Sequence, residues 1–366
     1  MAHGLPLTRG WVLIDTLHPL HEGHVFGWQA DGETTLREYG STREGEAQER
    51  WLRSPFYLLV ETGAPLLRRR VNDESRAEFP SIADLASGAT DYVAMVHRFK
   101  VQGIIGEMDC VYSSWATNRS DGFATSTSPT SRLVPLLALA VKSAALTRIA
   151  RTLVETYLGR DPGRRVLAGG IMRGVADRIE SVLWFSDLRG YTRITDTSPP
   201  EQVIPLLNNY ADAIISAIHA HGGDVLKLIG DGTLAIFTAE DREQACGSAL
   251  AAAAQARASL ADLNRRRDAD GLPTTDMYLA LHLGAVFYGN IGSKERLDFT
   301  VIGPAVNEVS RIAALCPSIE QPTLVSPTFA AAAGKAKERL VSVGRYALRG
   351  VGHAQELFTL DPTWRD

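Results

Sequence analysis

Two short apolar runs, residues 225–229 and 233–237, flank the tripeptide Gly230-Asp231-Gly232. Asp-Gly between such runs signals a β-hairpin, here with a carboxylate at the tip. Lys227 is the one charge inside the first run. Upstream, SVLWFSD reads as an apolar strand ending in Asp187, and Val203, Leu206, Leu207, Tyr210, Ile214 and Ile218 recur at helical spacing to about residue 220. Downstream, residues 241–267 form an alanine-rich helical pattern ending in three arginines, whose charge suits a helix C-terminus. MYLALHLGAVFYGNIG (277–292) and LDFTVIG (297–303) read as strands, and residues 304–315 as a helix with Pro304 in its first turn. Short strands close the chain. The pattern predicts an α+β domain, a sheet with helices on one face.

Residues 1–130 have a different texture. WVLIDTL (11–17), HVFGWQA (24–30), DYVAMVHRF (91–99) and CVYSSWA (110–116) read as strands, with helices near 44–53 and 80–87, so this is a mixed α/β domain. Residues 131–158 are helical, with Leu139, Leu146 and Leu153 every seven residues and Ile149 and Tyr157 on nearby faces. Packing within its own domain explains the first half of that helix; the second half could pair with its copy in another chain. Gly159 and Pro162 then break the pattern. The expected organisation is a domain over 1–130, a connecting helix and coupling segment over 131–180, and a second domain over 181–366.

Composition narrows the class. The 366 residues are 45% hydrophobic and 22% charged, as in globular proteins, and the net charge of −4 does not point to nucleic acid. Cys110, Cys246 and Cys316 are far apart, with no metal-ligand or disulfide spacing, which fits a reducing compartment. The amino terminus lacks a signal-peptide pattern, and the longest apolar run, 133–141, ends at Lys142, short of a bilayer span. The expectation is a cytoplasmic protein without membrane insertion. His18, His21 and His24 cluster near one strand start, but His-x₂-His-x₂-His matches no familiar ligand spacing; surface or core histidines are the expected reading.

The candidate chemistry lies in the second half. If the strands carrying Asp187 and Asp231 are neighbours, two carboxylates share one sheet edge, and hard oxygen donors suit Mg²⁺. Asp231 alone is equally a turn former, and Lys227 alone a solvated lysine. Asn307 and Arg311, at i and i+4, share a helix face, where they form either a solvent-facing polar pair or a device that orients a sugar and neutralises a phosphate.

Four stretches in order, FSDLRGYT, LKLIGDGTLAIF, LHLGAVFYGNIG and DFTVIGPAVNEVSR, resemble the class III nucleotidyl cyclases, in the catalytic domain of bacterial adenylate cyclases. The resemblance covers about 181–360. It implies a ferredoxin-like βαββαβ core that acts as a homodimer with active sites at the subunit interface. It implies that Asp187 and Asp231 hold two Mg²⁺ ions per site, with Mn²⁺ as a substitute, that Lys227 and Thr300 recognise the purine of ATP, that Asn307 orients the ribose and that Arg311 stabilises the α-phosphate. The aspartates of one chain would face Lys227, Thr300, Asn307 and Arg311 of the other. GRDPGRRVLAGGIMRG resembles the coupling segment of members with amino-terminal sensors. Residues 1–130 resemble a GAF-type sensor module in length and element order, which implies an unidentified regulatory ligand.

Two departures stand out: Pro304 where members often carry Asp or Asn, and Val351 where some carry a phosphate-binding lysine, beside Arg349. Three rival readings compete with this one. A guanylate cyclase is disfavoured because a lysine donates to adenine N1, whereas guanine presents N1–H there. A diguanylate cyclase would continue Gly222-Gly223-Asp224 with Glu-Phe, not Val-Leu. A catalytically dead, nucleotide-binding dimerisation module usually lacks a metal aspartate or the arginine, and neither is missing.

Overall fold

The computed structural model describes residues 7–99, 110–123, 129–238 and 240–361. They form two compact units, Met1–Leu153 and Val154–Asp366.

The first unit runs β1 (Leu7–Asp15), β2 (Gly23–Gln29), β3 (Thr34–Tyr39), α1 (Gly45–Leu52), α2 (Pro55–Thr62), β4 (Leu66–Arg70), α3 (Asp73–Glu78), α4 (Pro80–Ala83), β5 (Asp91–Arg98), β6 (Cys110–Thr117) and α5 (Pro129–Leu158). Its six strands form one antiparallel sheet in the order β3-β2-β1-β6-β5-β4. The sequence reading found β1, β2, β5 and β6 but not β3 or β4. Those two edge strands, TTLREY and LLRRR, are mostly polar and half exposed, so hydrophobic alternation does not mark them. Helix α2 was also missed, although its boundary chemistry is conventional. Ser54 accepts from the Tyr57 N–H, Pro55 opens the helix, and Gly63 ends it in the left-handed conformation.

Helix α5 is continuous for 30 residues. Its stretch Arg132–Leu158 is long and apolar enough to cross a membrane by length and composition alone. Val134, Ala138, Lys142 and Ile149 are nevertheless buried, Ala138 with Val12, Ile14 and Val111 of the sheet. The seven-residue seam lies elsewhere on the helix: Leu139 is exposed, and Leu146 and Leu153 are half-buried.

The second unit runs α6 (Arg160–Leu167), β7 (Ala176–Leu188), α7 (Tyr191–Thr197), α8 (Pro200–Ala220), β8 (Asp224–Ile229), β9 (Gly232–Phe237), α9 (Arg242–Ala269), β10 (Met277–Gly292), β11 (Leu297–Ile302), α10 (Pro304–Leu315), β12 (Thr323–Val325), α11 (Pro327–Ala332), β13 (Leu340–Tyr346) and β14 (Gln355–Leu360). The eight-stranded sheet is ordered β13-β14-β12-β10-β7-β9-β8, with β11 paired to the outer half of β10. Within it β7-α8-β8-β9-α9-β10 is a βαββαβ unit whose strands lie in the order fourth, first, third, second. This is the α+β ferredoxin-like core.

Helices cover both faces of this sheet rather than one. Val182 and Trp184 of β7 pack with α8, α9 and α11, while Leu183 packs with Val309 and Ile312 of α10 on the other side. Five of the six residues 181–186 are buried, and such a continuous apolar run marks a strand covered on both faces. Helix α8 contributes the stripe Val203, Leu206, Tyr210, Ile214 and Ile218, and α9 lies against it through buried alanines whose small side chains permit close approach.

Candidate functional site

Asp187 is the penultimate residue of β7, and Asp231 sits in the two-residue turn between β8 and β9, where Ile229 pairs with Gly232. β7 and β9 are antiparallel neighbours with Ser186 opposite Thr233, so the turn is delivered beside the end of β7. Two glycines make this possible. Gly230 takes the left-handed conformation with φ of 63°, and a Cβ on Gly232 would stand 3.2 Å from the Ser186 carbonyl oxygen and 3.8 Å from Asp187 Oδ1. The positive φ therefore falls on the residue before Asp231, not on the glycine after it.

Asp231 stands close enough to perturb the Asp187 carboxyl group. Half-burial raises the pKa of Asp187 from the ordinary carboxylate range to about 6; the hydrogen bond that its protonated form donates to Asp231, and the charge of Asp231, add to the rise, and the Leu188 N–H, donating to Oδ1 at 3.0 Å, opposes it. Neighbouring carboxylates in a half-buried site raise a pKa in this way. The donor set is hard and anionic, and it fits a divalent ion such as Mg²⁺.

Both aspartates line an open cleft of about 1010 Å³ with Arg189, Tyr191, Arg257, Asn264, Asp276 and Tyr278. Several of these side chains are committed to the scaffold. Arg257 donates to the Thr323 hydroxyl (2.6 Å) and the Pro322 carbonyl (2.9 Å), and Asn264 brackets Thr275 through both of its polar atoms.

Lys227 is exposed on β8, just after an irregularity in the β8–β9 register, and is ion-paired with Asp298 of β11. Thr300 is two residues further along β11 and hence on the same side of that strand as Asp298, while Phe299 and Val301 point into the core with α10. The structure thus places Lys227 with Asp298 and brings Thr300 to the same strand face. Asp298 was missed because nothing local marks it; only the pairing of β11 with β10 carries it towards β8.

Asn307 is exposed on α10 and Arg311 half-buried one turn later. The Arg311 guanidinium lies against the turn between β13 and β14: a Cβ on Gly350 would be 3.4 Å from both Nη1 and Nη2. Val351 packs against the α10 side of the core, and Arg349 is exposed. Within one chain, then, Asp187 and Asp231 share a cleft, while Asn307 and Arg311 are not among the residues lining it. An exposed apolar surface accompanies the second group: Leu228, Ile229 and the cross-strand pair Phe287 and Ile302, which are 49% and 46% exposed.

Residues 175–361, just over half of the chain, match the family model for the adenylate and guanylate cyclase catalytic domain. The chain belongs to this family. An uncharacterized protein of Mycobacterium tuberculosis is 32% identical over 218 residues, 58% of this chain and 39% of the relative. An adenylate cyclase of Anabaena cylindrica is 36% identical over 146 residues, 39% of this chain and 28% of its own length. The chain spans less than two fifths of the length of these curated relatives. A solved bacterial light-regulated adenylyl cyclase aligns with a TM-score of 0.52 at 18% identity, over 69% of this chain and 82% of the other, and shares the fold. The cyclase unit is the βαββαβ unit with its β10–β11 arm and carboxyl-terminal strands. Upstream of β7, helix α6 is tied to it: Asp161 accepts from the Tyr288 hydroxyl at 2.9 Å and from Arg165 Nε at 2.8 Å, and the Arg165 guanidinium lies 5.0 Å from the centre of the Tyr288 ring.

Proposed function

We propose that this chain is an adenylate cyclase that converts ATP to cyclic AMP and pyrophosphate in sites shared between two copies. The observation that carries the reading is the carboxylate pair Asp187–Asp231, assembled at a strand end and a hairpin turn. Asp187 and Asp231 would hold two Mg²⁺ ions, or Mn²⁺. When bound, the ions make the ribose 3′-hydroxyl easier to ionise and balance the charge of the triphosphate.

The remaining work falls to side chains. Lys227 Nζ donates to adenine N1, and the Thr300 hydroxyl on the neighbouring strand accepts from the exocyclic amine. Asp298 holds Lys227 in place through their ion pair. Asn307 bonds the ribose and sets the 3′-oxygen in line with the α-phosphorus. Arg311 answers the negative charge that grows on the α-phosphoryl oxygens. The 3′-oxygen forms a bond to the α-phosphorus, the bond from that phosphorus to the oxygen bridging to the β-phosphate breaks, pyrophosphate leaves and the hydroxyl proton is lost to solvent. Because Asn307 and Arg311 do not line the aspartate cleft of their own chain, we place them opposite the aspartates of a second copy. The exposed Phe287, Ile302, Leu228 and Ile229 provide apolar surface for that contact. We further propose that the amino-terminal unit is a GAF-like sensor acting through α5 and α6 from within a cytoplasmic homodimer.

A second reading, a guanylate cyclase, has one observation in its favour. Lys227 stands with the carboxylate of Asp298, and such a donor–acceptor pair can also serve guanine O6 and N1–H. Incubating the purified protein with ATP or GTP and Mg²⁺ or Mn²⁺, and quantifying cyclic AMP and cyclic GMP, separates the readings. Cyclic AMP as the main product is expected; cyclic GMP in excess replaces adenylate by guanylate, and no cyclic nucleotide from a dimeric preparation defeats both.

A further inference from the structure

His21, His24 and Glu38 lie far along the chain from the cyclase unit, and the described sheet brings them together. His24 is on β2 and Glu38 is its direct partner on β3, so their side chains share a face of the antiparallel ladder. His21 lies in the β1–β2 connection, two residues before β2. One ligand atom from each of the three residues falls within 4.8 Å of those from the other two.

The distances discriminate between two uses of such a cluster. His21 Nδ1 is 3.6 Å from Glu38 Oε2, and His24 Nε2 is 3.7 Å from Glu38 Oε1. Both exceed the range of an N–H···O hydrogen bond, about 2.7–3.2 Å. Two donors each about 2.1 Å from a tetrahedral ion stand about 3.4 Å apart. Each imidazole nitrogen therefore stands from a Glu38 oxygen at close to the separation of two donors on one ion, rather than at a hydrogen-bonding distance.

The surroundings suit this use. His24 is 7% exposed and His21 17%, whereas Glu38, at 55%, faces solvent. Two donors are thus held by packing while the third side opens to water, which can supply a fourth position. The ring of His18 is stacked flat on that of His21, with centroids 3.6 Å apart, and its Nδ1 accepts from the Leu20 N–H. This stacking fixes the plane of His21 without using its Nδ1. Glu22, the nearest other carboxylate in sequence, is committed elsewhere: Oε2 accepts from the Thr42 N–H and hydroxyl, both at 2.8 Å.

We propose that His21, His24 and Glu38 form a binding site for a divalent transition ion of the Zn²⁺ class in the amino-terminal unit. Two imidazoles and one carboxylate favour such an ion over Mg²⁺, which prefers an all-oxygen octahedron. The sequence reading set these histidines aside because His-x₂-His-x₂-His is not a ligand spacing. The structure replaces that spacing with a cross-strand one, in which the third donor comes from Glu38 rather than from His18.

The test uses the full chain carrying Asp231→Ala, which silences the carboxylate pair of the cyclase cleft, with Zn²⁺ alone as the probe in a competition titration against a chromophoric chelator. One equivalent per chain is expected. Glu38→Gln or His21→Ala, both at positions that are not fully buried, should weaken it by about 100-fold or more, since even loss of an outer partner of a metal ligand costs roughly 10–100-fold. His353→Ala, an exposed histidine of the other unit, should leave it unchanged. Zn²⁺ should also raise the melting temperature of the parent protein but not that of Glu38→Gln. Equal Zn²⁺ affinity in the parent, His21→Ala and Glu38→Gln proteins overturns the site, and so does the absence of any tight equivalent in the parent.

Discussion

Lys227 of β8 is ion-paired with Asp298 of β11, two strands that share no backbone ladder. The pairing fixes a long, exposed side chain at the position where the purine is proposed to sit. A flexible ammonium would lose rotamer freedom on binding the base; one already held by a carboxylate has less to lose.

This pair makes purine preference the first expectation. Lys227→Glu replaces a donor by an acceptor and sets it beside Asp298, so the ratio of kcat/KM for ATP over GTP should fall, by about 1–3 kcal/mol in discrimination. Asp298→Asn should lower the same ratio less, because it frees Lys227 without removing its ammonium. Unaltered ratios in both variants would exclude Lys227 as the purine reader.

Much of the site was legible in sequence because its residues sit in strong local contexts. Asp231 lies in a glycine-flanked turn between two apolar runs, Asp187 ends a continuous apolar strand, and Asn307 and Arg311 share a helix face. Asp298 was not legible, since its importance depends on which strand β11 lies beside. The placement of α10 on the second face of the sheet was missed for a related reason: helical periodicity tells which side of a helix is buried, not which side of the sheet it covers. In the amino-terminal unit, the polar edge strands β3 and β4 lacked the alternation that reveals a strand, and with β3 went Glu38, the partner that gives His21 and His24 their meaning.

His219 provides a pH expectation. Burial, reinforced by the positive charge of Arg160, lowers its pKa to about 4 from the ordinary histidine value. Between about pH 6.5 and pH 4 the unfolded chain therefore binds a proton that the folded chain refuses. Stability should decline as pH falls through this window, and His219→Gln should flatten the decline. Melting temperatures of the two proteins across the window check this, and parallel curves would rule out the assignment.

Helix α5 yields a coupling expectation. Its buried residues Val134, Ala138, Lys142 and Ile149 leave the seam of Leu139, Leu146 and Leu153 largely outward. If that seam joins two copies in parallel, the rotational phase of the helix is transmitted to α6, which Asp161 and Arg165 tie to Tyr288. Inserting two residues after Tyr157 turns everything downstream by about 200° and should change basal cyclase activity several-fold. Inserting seven residues, one heptad or about two turns of the helix, should largely preserve it. Identical activity in the two-residue insertion and the parent argues against coupling through this helix.

The sharpest expectation concerns the division of the site between two chains. Asp187 and Asp231 share one cleft, while Asn307 and Arg311 stand on α10 outside it, with Arg311 against Gly350. If each site takes its aspartates from one copy and its Asn307 and Arg311 from the other, Asp187→Ala removes both sites of its homodimer. Arg311→Ala should reduce both by about 10²–10³ in rate, the scale for loss of one preorganised charge stabiliser. A two-fold interface repeats every contact, so a mixed dimer of the two variants concentrates both lesions in one site and leaves the other wild type. Co-expressing the two inactive chains with different affinity tags, and purifying through both, isolates that mixed dimer. It should turn over at about half the wild-type rate if the sites are independent. A site built within a single chain predicts the opposite, because each chain would keep its own lesion and the mixed dimer would be as inactive as its parents.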